Sequence, residues 1–124
     1  MNENRPKHLA LHHIKFPLPA IVSGMHRMSG LLLFLSLPFL LWMLQYSLRS
    51  IETYTMLVAI LQYPLVKLFL IGVLWAFLHH FCAGIRCLAI DLDFGVRLAQ
   101  ARASSKWVIV VSLTLTVLIG VRLW

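Results

Sequence analysis

Three long apolar runs decide what this chain can become. The first is roughly Gly30 to Tyr46, and it begins as early as Ile21 if His26 and Arg27 face protein or the membrane interface. The second runs from about Pro64 to Leu88 and the third from Trp107 to Trp124. A bilayer core about 30 Å thick needs about 20 apolar residues of helix to cross it, and each run meets that once its flanks are counted. Lipid offers no hydrogen-bond partners, so a backbone that crosses it must bond to itself, which makes these runs helices. The predicted fold is an all-α membrane protein: one anchor domain over residues 1–124, with a tail at 1–20 and transmembrane helices at about 21–47, 64–88 and 106–124.

The charges support this. Only 12% of the 124 residues are charged, against about 25% in soluble chains. With only four acids, no solvated surface can be built. The net charge of +7 does not point to nucleic acid, because the eleven Lys and Arg flank the apolar runs instead of forming a patch. The first 20 residues carry Arg5, Lys7, Lys15 and three His without an apolar core, so no cleavable signal peptide is expected. Cys82 and Cys87 fit neither a zinc site nor a disulfide framework and read as small buried residues.

The helix ends are marked. Trp42, Tyr46, Tyr54, Tyr63, Trp107 and Trp124 lie near run boundaries, where amphipathic rings favour the headgroup layer. Trp75 is mid-span and needs a packing explanation. Pro38 predicts a kink in the first helix, Pro64 suits the start of the second, and Pro17 and Pro19 separate tail from span. Basic residues concentrate in the tail (Arg5, Lys7, Lys15, then Arg27) and between the second and third runs (Arg86, Arg97, Arg102, Lys106, against Asp91 and Asp93). The other two flanks hold only Arg49 with Glu52, and Arg122. The positive-inside rule then predicts an inside N-terminus and an outside C-terminus.

Ionisable residues inside a span are functional candidates. His80 shares a helix face with Gly72, Ala76, Ala83, Gly84 and Cys87, all small. Such a stripe leaves a shallow groove beside a metal-ligating imidazole, where a haem can lie with its iron on the ring nitrogen. It equally lets helices pack closely, and spacing alone does not choose. His79 shares the more crowded face of Trp75, Cys82 and Arg86. At the head of the first helix, Ser23 and Arg27 share one face and His26 and Gly30 another. Arg and His there suit haem propionates, and Ser23 suits a carbonyl of a lipid-soluble ligand. A lone Arg would instead snorkel to headgroups. Ser112, Thr116 and Gly120 read as a packing face, and Lys67 as a residue that snorkels to the outer surface. One His cannot supply both axial ligands of a low-spin haem, so the second must come from His79, which points elsewhere, or from another subunit. A small proton-conducting transporter built on His26, Arg27 and His80 is disfavoured, because the outer halves of the helices hold few polar groups.

Read in order, these residues resemble a known family. PLPAIVSGMHRMSG, from Pro17 to Gly30, is similar to the Ser-x-x-His-Arg-x-Ser-Gly motif of the cytochrome b membrane-anchor subunit of succinate dehydrogenase. Arg5-Pro6 and His8-Leu9 resemble a compressed form of its tail, and HFCAGIRCLAID, from His80 to Asp91, resembles its His-x-x-x-Gly-Ile-Arg…Asp motif. The resemblance implies haem b shared with a second anchor subunit, and ubiquinone bound where the two anchors meet the iron–sulfur subunit. Succinate would be oxidised on a separate flavoprotein subunit, the whole seated in a bacterial or mitochondrial inner membrane. It implies His80 as axial ligand, His26 and Arg27 near the haem propionates, Ser23 and Arg27 in the quinone site, Gly84 where the haem approaches the helix, and Asp91 at the inner rim. Cys87 departs from the pattern, which often has His there, and His79 is an addition. A haem-less structural anchor remains the competing reading.

Overall fold

The computed structural model describes residues 15–124, and every regular element among them is helical: α1 (Leu18–Arg49), α2 (Ile51–Leu61), α3 (Pro64–Asp91) and α4 (Leu98–Leu123). The tail residues Arg5, Pro6, Lys7, His8 and Leu9 lie outside the described residues. α1, α3 and α4 have 32, 28 and 26 residues and are apolar enough to cross a membrane. At 1.5 Å per residue they are about 39–48 Å long, longer than the hydrocarbon core, so their ends reach the headgroup layers.

Local chemistry sets where each helix starts and stops. Pro17 is the extended N-cap of α1, with a further proline in the first turn, where its missing N–H removes no bond. α1 runs on through Pro38 as one helix. It stops at Ser50, whose backbone is extended (φ −161°, ψ 164°), and the same residue starts α2. Thr53 N–H donates to Ser50 Oγ at 3.1 Å, and Ser50 N–H donates to Thr53 Oγ1 at 3.0 Å. This is a capping box, with Glu52 in the first turn favoured by the helix dipole. The segment between the first two apolar runs is therefore a helix of its own, not an extended connection. Pro64 opens α3 after a short turn.

α3 closes on a Schellman motif. Asp93 takes the left-handed conformation (φ 62°). Its N–H bonds to Ile90 O at 2.9 Å, and the Phe94 N–H bonds to Ala89 O at 2.9 Å. α4 begins at Leu98, not near Lys106: Arg97, Arg102 and Lys106 belong to the start of the helix or flank it, and extend it beyond the apolar run.

α3 packs against both α1 and α4, and α1 also touches α4. The seam is thin. α1 buries Val22, Ser29 and Ser36, a seven-residue repeat that keeps one stripe facing inward. α3 buries Val73, Ala76, His79 and Ala83. α4 buries Ser105, Val108, Ser112, Thr116 and Gly120, so its small-residue stripe is a packing face. One residue from each long helix, Val22, Ala83 and Val108, meets at the centre, with Cys82 and Ile109 alongside. Cys87 is exposed. The remaining large apolar side chains, such as Phe34, Leu35 and Phe81, point outward, as a lipid- or subunit-facing surface requires.

Candidate functional site around His80

The site forms where the head of α1 crosses α3. Gly30 allows it. A Cβ at Gly30 would lie 2.8 Å from His80 Cε1 and 3.3 Å from its Nδ1, so the imidazole rests directly on the α1 backbone. The His26 ring stacks on the His80 ring, with centroids 4.3 Å apart and planes inclined by 30°. His80 Nδ1 lies 3.1 Å from the backbone oxygen of His26 and 3.3 Å from Ser29 Oγ. Among the described residues Nε2 makes no hydrogen bond. The ring is thus fixed by one nitrogen while the other stays available, the usual arrangement of a metal-ligating histidine. His80 is half-buried.

His79 is placed differently. It is fully buried, and among the described residues neither ring nitrogen has a partner; nor has Nε1 of Trp75, on which it stacks with centroids 5.4 Å apart. That stack is the packing role of the mid-span Trp75. Enclosed within its own chain, His79 cannot meet an external ligand without a rearrangement. Of the two adjacent histidines, only His80 reaches the surface of the three-helix seam.

The groove expected around His80 is filled from within at two of its five small residues. Ala76 and Ala83 are 0% and 1% exposed, so these small residues serve close helix packing. Gly84 sits under His26, whose Nε2 would be 3.8 Å from a Cβ built there. Of the other residues at the head of α1, Ser23 is half-buried and Arg27 is exposed, and neither makes a side-chain hydrogen bond among the described residues. Arg27 is therefore free to meet an anionic or carbonyl group. Asp91 is exposed at the end of α3.

Two polar ties beyond the site escaped the sequence reading. Arg86 Nε donates to Ser104 Oγ at 3.0 Å, and its Nη2 reaches Ala101 O at 3.5 Å, fastening the end of α3 to the start of α4. At the other end Lys67 donates to the backbone oxygen of Trp124 at 3.2 Å and lies 5.3 Å from the centre of its indole, folding onto protein where snorkelling was expected.

Comparison with known proteins agrees with this architecture. The family model described as succinate dehydrogenase/fumarate reductase transmembrane subunit matches residues 1–119. A succinate dehydrogenase cytochrome b556 subunit of Coxiella burnetii is 40% identical over 125 residues, covering 100% of both chains. The corresponding subunit of Paracoccus denitrificans is 32% identical, covering 93% of this chain and 88% of its own. That of Rickettsia felis is 31% identical, covering 92% and 87%.

Proposed function

The chain belongs to the succinate dehydrogenase/fumarate reductase transmembrane subunit family, and on that premise we propose that it is the haem b- and ubiquinone-binding anchor of a succinate dehydrogenase, serving electron transfer from the iron–sulfur subunit to ubiquinone. The proposal rests chiefly on His80, with Nδ1 engaged by the His26 carbonyl and Nε2 without a hydrogen bond among the described residues. The relatives' name, cytochrome b556, supports the same reading.

In this reading His80 Nε2 would hold the haem iron, together with a histidine of a second anchor subunit. The haem supplies a one-electron Fe(III)/Fe(II) couple held within the membrane. Arg27 and His26 hold the propionates by charge-assisted hydrogen bonds. Gly84, with no side chain, leaves room for the macrocycle beside His26. Ser23 donates a hydrogen bond to a ubiquinone carbonyl, and the cation of Arg27 stabilises negative charge developing on that oxygen. Asp91 lies on the route by which protons reach the quinone. Succinate oxidation takes place on the flavoprotein subunit, the N-terminus faces the cytoplasm or matrix, and the membrane is a bacterial inner membrane or its mitochondrial equivalent.

A second reading has its own support. The burial of Ala76 and Ala83 within the chain uses part of the small stripe for packing, as a haem-less anchor would. The test is a reduced-minus-oxidised spectrum of the purified four-subunit complex, alongside one carrying His80→Ala. The proposal expects a b-type band in the wild type that is lost or shifted in the variant. A wild-type complex without such a band favours the haem-less anchor, and a band indifferent to His80→Ala removes the ligand assignment. Ser23→Ala and Arg27→Ala are expected to impair quinone reduction with succinate oxidation by artificial acceptors retained.

A further inference from the structure

Ser29 is 3% exposed and belongs to no role assigned so far. Its Oγ–H donates to the backbone oxygen of His26 at 2.8 Å. With that hydrogen engaged, Oγ turns a lone pair toward His80 Nδ1, 3.3 Å away. The His26 oxygen, 3.1 Å from the same Nδ1, can only accept. An imidazole nitrogen facing two acceptors carries the proton, so Nδ1 is the N–H of the neutral ring and Nε2 keeps its lone pair.

We infer that Ser29 is a positioning residue for the haem: as the second acceptor on an Nδ1–H whose tautomer the His26 oxygen already sets, its hydroxyl makes Nε2 a stronger electron donor to iron. This rests on His80 being the axial ligand. A hydrogen bond accepted from the distal nitrogen of a ligating histidine raises the basicity of the ligating one. A more basic ligand stabilises Fe(III) over Fe(II) and holds the reduction potential down. Ser29 tunes the haem without touching it.

The shape of the site limits the alternatives. The stacked His26 ring and the bare backbone of Gly30 already restrict where His80 can lie. Ser29 is therefore not needed to keep the ring in place, and what remains for it is the proton on Nδ1.

The experiment is a redox titration of the b-type band in the purified four-subunit complex carrying Ser29→Ala, Ser29→Thr or Ser29→Val. Threonine and valine have nearly the same shape and differ in the hydroxyl. The expected result is a retained band whose midpoint potential rises in the alanine and valine variants and stays close to wild type in the threonine variant. Loss of the band in alanine and valine but not threonine has the same meaning. An unshifted potential in Ser29→Ala overturns the inference. So does a threonine variant that behaves like valine, or loss of the band in all three, since each marks a packing role. A wild-type complex with no b-type band, or one whose band ignores His80→Ala, overturns the parent reading and this one with it. A band that needs His80 but ignores the Ser29 hydroxyl overturns this one alone.

Discussion

Replacing Gly30 with alanine places a methyl group where the His80 ring already sits. The built Cβ lies 2.8 Å from Cε1, whereas carbon atoms pack at about 3.5–4.0 Å. The ring must retreat by roughly 1 Å, and it has little freedom to do so. Nδ1 is tied to the His26 oxygen at 3.1 Å, and the ring face is covered by His26 at 4.3 Å. A retreat of that size breaks the hydrogen bond, a net loss of about 0.5–1.5 kcal/mol. Overpacking adds about 1–3 kcal/mol, and the better helix propensity of alanine returns about 1 kcal/mol. The net destabilisation is roughly 0.5–3.5 kcal/mol by these same terms. The assay is the thermal midpoint of the purified complex together with its reduced-minus-oxidised spectrum. Gly24→Ala and Gly72→Ala are the controls, because a Cβ at either meets nothing within 4 Å. Gly30→Ala is expected to lower the midpoint and disturb the haem band, with both controls near wild type. If Gly30→Ala is indistinguishable from Gly24→Ala and Gly72→Ala, the ring does not rest on Gly30, and the geometry derived for His80 is wrong.

Three other substitutions probe separate features. His79→Leu removes two buried ring nitrogens that have no partner among the described residues, each a penalty of about 1–3 kcal/mol; it is expected to raise the thermal midpoint and leave the haem band intact, and loss of the band would make His79 a ligand. Asp93→Gly relieves a left-handed residue at φ 62° and is expected to raise stability by about 0.5–1 kcal/mol, read as a higher thermal midpoint, whereas Asp93→Val should lower it. Arg86→Gln is expected to cost about 1–2 kcal/mol through its bond to Ser104; a double-mutant cycle with Ser104→Ala that gives no coupling would show that the contact contributes nothing.

The three spans were legible because hydropathy over some twenty residues is a strong signal and lipid admits only helices. α2 was not legible by that means, since it is too short to span. Its signal was local: Ser50 three residues ahead of Thr53, then MLVAIL, a cap followed by an apolar run. The early start of α4 was hidden because Arg97, Arg102 and Lys106 look like a loop when only hydropathy is read, although LAQARA, from Leu98 to Ala103, is made of good helix formers. The helical faces of His79 and His80 separated in the sequence as they do in the fold. What the sequence did not convey was how close α1 comes. The contact of Ser29 with His80 joins residues 51 apart, and no periodicity within one helix reports which residue of another will meet it. A stripe of small residues also admits a neighbouring helix as readily as a macrocycle, and Ala76 and Ala83 take the first role here.

The hydroxyls of the buried seam have a consequence for how the chain is made. Ser36 donates to Leu33 O, Ser105 to Ala101 O, Ser112 to Ile109 O and Thr116 to Ser112 O. Each is satisfied within its own helix, so these hydroxyls wait on no neighbour. For them insertion into lipid needs no partner, and association afterwards is a matter of fit. The bonds that do cross between long helices lie at His80, Arg86 and Lys67. They form only once the spans have met, and act as latches on a bundle already gathered. A defect at one of them should therefore leave insertion at its normal rate and loosen a bundle that still gathers.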